Sequence, residues 1–227
     1  MSEEIDNLVY DYGVCEMFSS IQGEGPNMGK PCAFIRFSGC NLRCPWCDSK
    51  YAWPVDKMML TVAQILESPS VKKHKHIVLT GGEPMMRNLE PLLVELMRRN
   101  HSIEIETNGT YWSSSVGKFA NIVVSPKLTV EGGINPVTIE QFVRAGGITF
   151  KFVVKNTDEI DQVYEFCENY QVKSGAKIYL MPEGITRKVI LERLQLIACY
   201  VRDVYPNWDV KISPRLHILL WGNKRGK

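Results

Sequence analysis

Nowhere in the 227 residues does an apolar run last long enough to span a bilayer, so a membrane-embedded role is excluded from the expectations. Charge of one dominant sign is also missing. Lys and Arg number 27 against 25 Asp and Glu, a net charge of +2. Such a balance builds no strong field for a phosphate backbone, so neither nucleic acid nor a membrane surface is expected as a partner. Low-complexity tracts and internal repeats are absent. No secretory leader opens the sequence, and the seven cysteines do not form a disulfide framework, three being clustered and four scattered. These last two absences lead to an expected location in the reducing cytoplasm. The length and the 44% hydrophobic content suit one domain over 1–227 with a sizeable core.

What the chain does have is a loop, Gly39–Ser49, in which Cys40, Cys44 and Cys47 stand at C-x3-C-x2-C spacing. A 4Fe–4S cube normally takes four cysteine ligands. Three local thiolates would hold three irons and leave the fourth open to a small molecule. Trp46, beside the last cysteine, could cover a flat base or shield the cluster, and Asp48 and Ser49 follow with oxygen donors. Two other readings stay open on the loop alone. One is a zinc site whose fourth ligand comes from Cys15, Cys32, Cys167, Cys199 or a histidine, although zinc sites usually show paired C-x2-C units. The other is a set of redox-reactive thiols.

The rest of the chain alternates between the two periodicities. Strands are expected at Cys32–Phe37, His76–Thr80, Ser102–Glu106, Ile122–Val124, Ile148–Val154, Ala176–Met181 and, briefly, Trp208–Ile212. Helices are expected at Thr61–Glu67, capped by Thr61 and ended by Pro69, and at Arg87–Arg99, Ile139–Arg144, Asp158–Tyr170 and Arg187–Val204. Residues 1–14 are acidic and polar, Val14–Ile21 is mixed, Tyr51–Met59 reads as irregular, and Leu216–Trp221 is an apolar segment before a basic tail. The alternation predicts α/β architecture, an open, partial (β/α) TIM-like barrel of about six central parallel strands. Chemistry in such folds gathers at the C-terminal strand ends. The cysteine loop, Gly81–Pro84, Thr107–Thr110 and Ser125–Lys127 all follow predicted strands, which favours one common site over four unrelated turns. Arg36 is a charge inside an apolar strand, so it either meets a structural carboxylate or waits for an anionic ligand.

With its aromatic before the third cysteine, and with Gly81-Gly82-Glu83-Pro84 some 35 residues on, the cysteine loop resembles the signature of radical S-adenosylmethionine (SAM) enzymes. Further stretches narrow the resemblance: Ser20-Ile21-Gln22-Gly23-Glu24-Gly25, Arg36, Cys47-Asp48-Ser49, Glu106-Thr107-Asn108-Gly109-Thr110 and Ser125-Pro126-Lys127. Together these are similar to the 7-carboxy-7-deazaguanine synthase family, and His217–Gly226 is similar to the tail of one branch of it. The resemblance implies a reduced 4Fe–4S cluster on Cys40, Cys44 and Cys47 whose open iron chelates SAM, with one-electron cleavage giving a 5′-deoxyadenosyl radical. It implies SAM contacts from Trp46, Cys47, Asp48, Gly82, Ser125, Pro126 and Lys127, with Gly81 and Gly82 exposing backbone donors and acceptors. It also implies ring contraction of 6-carboxy-5,6,7,8-tetrahydropterin to 7-carboxy-7-deazaguanine, with loss of ammonia, on the route to queuosine and related deazapurines. Arg36 would take the substrate carboxylate. The Ile21-Gln22-Gly23 backbone would read the pterin edge, Thr80 would touch substrate, and Ser49 would be a Mg²⁺ ligand completed by the substrate. A homodimer and an electron donor such as flavodoxin belong to the same implication. His217 faces substrate or simply packs. The competing enzyme class, an activase that places a glycyl radical on a partner, shares the cluster spacing and a Gly-Gly-Glu-Pro-like loop but needs a protein-docking groove.

Overall fold

A computed structural model describes residues 11–55, 58–172 and 176–227. Most of the acidic and polar opening stretch, residues 1–10, therefore lies outside the described residues, as do 56–57 within the segment expected to be irregular. Nine strands form one sheet: β1 (Asp11–Ile21), β2 (Pro31–Phe37), β3 (Met58–Thr61), β4 (His76–Gly81), β5 (Ser102–Thr107), β6 (Asn121–Val124), β7 (Thr149–Val154), β8 (Lys177–Pro182) and β9 (Lys211–Ile212). The helices are α1 (Val62–Glu67), α2 (Pro69–Lys73), α3 (Glu90–Arg98), α4 (Pro136–Ala145), α5 (Thr157–Asn169), α6 (Arg187–Val204) and α7 (Leu216–Trp221). Strand order is β3-β1-β2-β4-β5-β6-β7-β8-β9, open at both ends. From β2 to β9 every neighbouring pair is parallel, so the expected partial barrel stands. Its first edge was not foreseen: β1 runs antiparallel to β2, and β3 antiparallel to β1.

The two faces of the sheet differ in chemistry. Ile35, Phe37, Ile77, Leu79, Ile103, Ile105, Phe150, Phe152 and Val154 point to the helix side and join the main core. Residues one step out of phase, Phe34, Arg36, Val78, Thr80, Glu104, Glu106 and Lys151, belong to the other face by the two-residue period of a strand. Parallel strands are usually apolar on both faces because helices cover both. Here only one face is covered that way. The opposite face keeps a small apolar patch of Cys32, Phe34, Val78 and Phe18 and is otherwise polar.

Most differences from the expected boundaries have local causes. Thr61 caps α1 in a reciprocal capping box with Gln64, as predicted, but Pro69 opens α2 instead of merely ending α1. A missing N–H costs nothing in a helix's first turn. Helix α3 starts at Glu90 and not at Arg87, because Arg87 turns its guanidinium to the carbonyls of Ser38 and Glu83. Asn156 accepts the Glu159 N–H at the start of α5. The apolar segment Leu216–Trp221 is helical, and Arg187 at the start of α6 donates to the Leu220 carbonyl.

Candidate active site

The loops after β2, β4, β5 and β6 converge as predicted, and contacts that only glycine permits lock the first two together. A Cβ on Gly82 would lie 1.8 Å from the Gly39 carbonyl oxygen, and Gly81 has φ +129. Gly82 N–H donates to Phe37 O at 3.0 Å and Glu83 N–H to Gly39 O at 2.8 Å. The Gly82 amide is thus spent on the scaffold, which leaves carbonyl groups as what this turn offers a ligand. The Glu83 carboxylate is fully buried. It accepts from Met85 N–H (2.9 Å), Thr107 Oγ1 (2.6 Å) and Asn108 N–H (2.7 Å), tying the turn to the end of β5. Asn108 in turn donates to Asn41 at 3.0 Å, and Asn41 to Thr110 at 3.0 Å, so the loop after β5 also holds the cysteine loop.

Inside this frame a single cavity takes in Cys40, Cys44 and Cys47 with Trp46, Asp48 and Ser49. Ile21, Gln22, Gly23, Arg36, Thr80, Gly82, Ser125 and Lys127 line it too. Of the residues singled out from sequence, Pro126 alone sits to one side, in a small crevice next to Trp46 and Lys127. The donor set fits a 4Fe–4S cluster, since three free thiols of one loop share the cavity and the other four cysteines do not line it. Among the described residues no group of three His, Cys, Asp or Glu side chains is placed to hold a single metal ion. Burial pushes the Cys40 and Cys44 thiols up. Glu83 adds to this at Cys40, and Lys127 opposes it at Cys44.

Arg36 meets a structural carboxylate and also reaches the cavity. Its Nε donates to Glu16 Oε1 at 2.9 Å, and its Nη1 donates to Ser49 Oγ at 3.2 Å while the guanidinium lines the cavity. Ser49 is buried and its hydroxyl donates a hydrogen bond to Asp48 Oδ1 at 2.9 Å. The Gln22 main chain is taken up within its loop, pairing with Lys30 O and Gly29 N–H, and Gly23 O accepts from Leu216 N–H at 2.9 Å. The Gln22 side chain donates to Glu104 and to Glu106 (3.3 Å). Thr80 donates to Glu106 Oε2 at 3.0 Å. His217 packs on the Gly23 backbone, where a Cβ would collide with its Nδ1 at 2.1 Å, and it also lines the cavity.

A buried ion network is what the sequence reasoning missed. Lys151 Nζ bridges Glu24 (2.6 Å) and Glu106 (3.2 Å). Arg215 pairs with Glu24 at 3.0 Å and with Asp48, and donates to Gly184 O at 2.7 Å. The signal was present at Lys151, which interrupts an apolar strand just as Arg36 does, whereas Glu104 and Glu106 alternate with Ile103 and Ile105, a pattern that reads as a solvent-facing side. Burial and the neighbouring Glu106 charge push the Glu104 carboxyl up to about 7, against the hydrogen bonds from Asn27 and Gln22.

The model of the radical SAM superfamily matches residues 34–183. A 7-carboxy-7-deazaguanine synthase of Pyrobaculum aerophilum is 35% identical over 221 residues, covering 94% of this chain and 96% of the relative. Its counterpart in Aquifex aeolicus is 34% identical over 208 residues, covering 89% and 90%. This chain belongs to the radical SAM superfamily and, within it, to the 7-carboxy-7-deazaguanine synthase family. The crystal structure of QueE from Escherichia coli superposes with a TM-score of 0.70 at 25% identity, covering 91% of this chain and 95% of that one. The superfamily match begins inside β2 and stops just after β8. The antiparallel strand β1, the Gln22–Glu24 loop and the Arg215–His217 corner therefore lie outside it, and they supply Glu24, Arg215 and His217 to the cavity.

The Glu104 carboxyl gives a pH signature. Its folded value of about 7 lies above the ordinary 4.5, so the folded chain binds this proton more tightly than the unfolded chain. The stability it contributes is complete below about pH 4.5 and is lost as pH rises through 7. Glu104→Gln removes that dependence. Denaturant unfolding should show the variant gaining on the parent between pH 5 and pH 8, by up to about 3 kcal/mol. Parallel pH profiles for the two proteins would show that Glu104 is ionised throughout.

Proposed function

We propose that this protein makes 7-carboxy-7-deazaguanine from 6-carboxy-5,6,7,8-tetrahydropterin by SAM-dependent, Mg²⁺-assisted radical ring contraction with loss of ammonia. The observation that carries the reading is the shared cavity. Three cysteines suited to a cluster and an arginine suited to a carboxylate line one cavity together with Gln22, Thr80, Glu106 and Lys127, a set of donors and acceptors that favours a small polar molecule over the activase reading. Held by Cys40, Cys44 and Cys47, the cluster would supply the electron that cleaves SAM. The chain's own residues orient and enclose. Lys127 and Ser125, hydrogen-bonded at 2.6 Å, present an ammonium and a hydroxyl toward a SAM carboxylate or ribose, and the Gly81-Gly82 carbonyls face its amino group. Phe18 and Phe34, stacked 5.0 Å apart, form an apolar wall for a flat ring, while Glu106 and Thr80 offer acceptors and a donor to its rim.

Arg36 and Ser49 act as one unit in this reading. The 3.2 Å contact places a cation on the oxygen that Mg²⁺ would use. Like charges repel there, so the ion binds once the substrate carboxylate has neutralised Arg36 and added its own oxygens. Metal and substrate should each raise the other's affinity. One domain, working as a cytoplasmic homodimer reduced by a flavodoxin-like donor for queuosine or a related deazapurine, completes the proposal. The seven free cysteines agree with a reducing compartment. Among the described residues no helix is long and apolar enough to cross a membrane.

The direct test is anaerobic incubation of the reconstituted protein with SAM, reductant, Mg²⁺ and the carboxypterin. Mass detection should find the deazaguanine, and its absence alongside SAM cleavage would point to a different substrate. Arg36→Lys keeps the charge and loses the fork. It should cost about 1.5–3 kcal/mol of pterin affinity and leave SAM affinity nearly unchanged, whereas equal losses would mark Arg36 as structural. Ser49→Ala should abolish the Mg²⁺ dependence of substrate affinity while cluster content stays at the parent level. An identical Mg²⁺ effect in both proteins removes Ser49 from the metal site.

A further inference from the structure

The basic tail after α7 has no role in the chemistry above, yet it is folded back onto the carboxylate-binding corner. Gly222, at φ +67, ends α7 and turns the chain. Three residues later Arg225 Nε donates to Glu16 Oε2 at 2.7 Å, and its guanidinium lies 4.3 Å from the centre of the Tyr51 ring. Glu16 is opposite Arg36 in the β1–β2 register. Its other oxygen, Oε1, receives both Arg36 Nε and the Tyr51 hydroxyl, each at 2.9 Å. Glu16 and Arg36 are only 13% and 15% exposed, whereas Arg225 is 56% exposed. A single carboxylate therefore serves an inner and an outer arginine. Burial alone would push the Glu16 carboxyl up, but Arg225, Tyr51 and Arg36 together hold it below the usual range.

Charge bookkeeping gives this arrangement a consequence. Glu16 and Arg36 alone make a neutral pair, and a neutral pair attracts an anion weakly. With Arg225 on the second oxygen the trio carries one net positive charge, and the cavity end of that trio is Arg36. We propose that the C-terminal tail sets the affinity of this corner for a substrate carboxylate: Arg225 neutralises Glu16, so that Arg36 acts on the ligand as an uncompensated cation. Glu16 and Tyr51 are the positioning residues that fix the Arg36 plane. The inference rests on the functional reading above, in which Arg36 binds a carboxylate.

The test compares two fluorescent probes, 6-carboxypterin and pterin itself, titrated into the reconstituted holoprotein with SAM. Preference of the parent for 6-carboxypterin is the condition of the functional reading; no preference overturns that reading and this inference with it. Given the preference, Arg225→Gln should lower affinity for 6-carboxypterin about threefold, the scale of a partly exposed ion pair, and leave pterin unchanged. In a Glu16→Gln background Arg225 loses the carboxylate that anchors it beside the corner, so the same substitution should change neither affinity. Arg225→Lys, which keeps the charge, should restore the preference whether or not Glu16→Gln folds. Equal loss for both probes, an undiminished effect in the Glu16→Gln background, or equal loss in the Lys and Gln variants would show that the tail merely packs. Iron content and thermal melting of each variant confirm that the fold and cluster are intact.

Discussion

Charge neutrality on an uncovered sheet face is the constraint on which the rest of the structure depends. A carboxylate or ammonium taken out of water is tolerated only when paired and hydrogen-bonded. The inner face carries Glu104, Glu106, Lys151 and Arg36 on its strands, and none can be satisfied by its own strand. Neighbouring strands supply some partners, Glu16 of β1 for Arg36 and Glu106 of β5 for Lys151, and the loops supply the rest: Glu24 and Gln22 after β1, Asp48 and Ser49 after β2, Arg215 before α7. The requirement that places the loops is therefore the one that makes the cavity polar. Lys151 shows how strongly the balance is set, since Glu106 and Glu24 together raise its ammonium well above the ordinary range in spite of complete burial.

The same pairing joins the two ends of an open sheet. Hydrogen bonds between strands stop at β3 and β9. Arg215 then gathers Glu24 and Asp48, which follow the first two strands, and the Gly184 carbonyl, which follows β8. A guanidinium suits this better than an ammonium because its fork can meet three acceptors in one plane. The partners are 191 and 167 residues away along the chain. Contacts of such separation pay their full loop-closure entropy before they form, so the corner around Arg215 and Glu24 can be complete only when the whole sheet is.

How much of this was legible in the sequence follows from where each signal lies. Strands β2, β4, β5, β6, β7 and β8 announce themselves because their helix-facing positions are Ile, Val, Leu and Phe. The cysteine loop and the Gly81-Gly82 turn were legible because their spacing has few physical uses. Strand β1 was not, since its run Asp11-Tyr-Gly-Val-Cys-Glu-Met-Phe-Ser-Ser-Ile mixes polar residues without clean alternation; its register even shifts between Val14 and Glu16. Short α7 was missed for the opposite reason, an apolar run too brief to distinguish helix from strand. The role of Lys151 was within reach, because the argument that marked Arg36, a charge stranded among apolar neighbours, applies to it without change. Glu104 and Glu106 alternate with Ile103 and Ile105, so their strand reads as half-exposed and their burial was not legible.

What sequence could not supply is the sharing of partners. Arg36 posed a choice between a structural carboxylate and an anionic ligand, and the fold declines the choice by giving its Nε to Glu16 and turning the same guanidinium into the cavity. A residue with five donors in one plane can brace itself with some and bind with others. A brace of the same sign as the ligand would ordinarily weaken binding, because Glu16 and an incoming carboxylate compete for one cation. Two features of the corner relieve that competition. Tyr51 and Arg225 spread the Glu16 charge over further donors, and Asp48, the other nearby acid, is tied to Arg215. The corner can then be rigid and still positive toward the cavity, a combination that a lone arginine in an apolar strand would not reach.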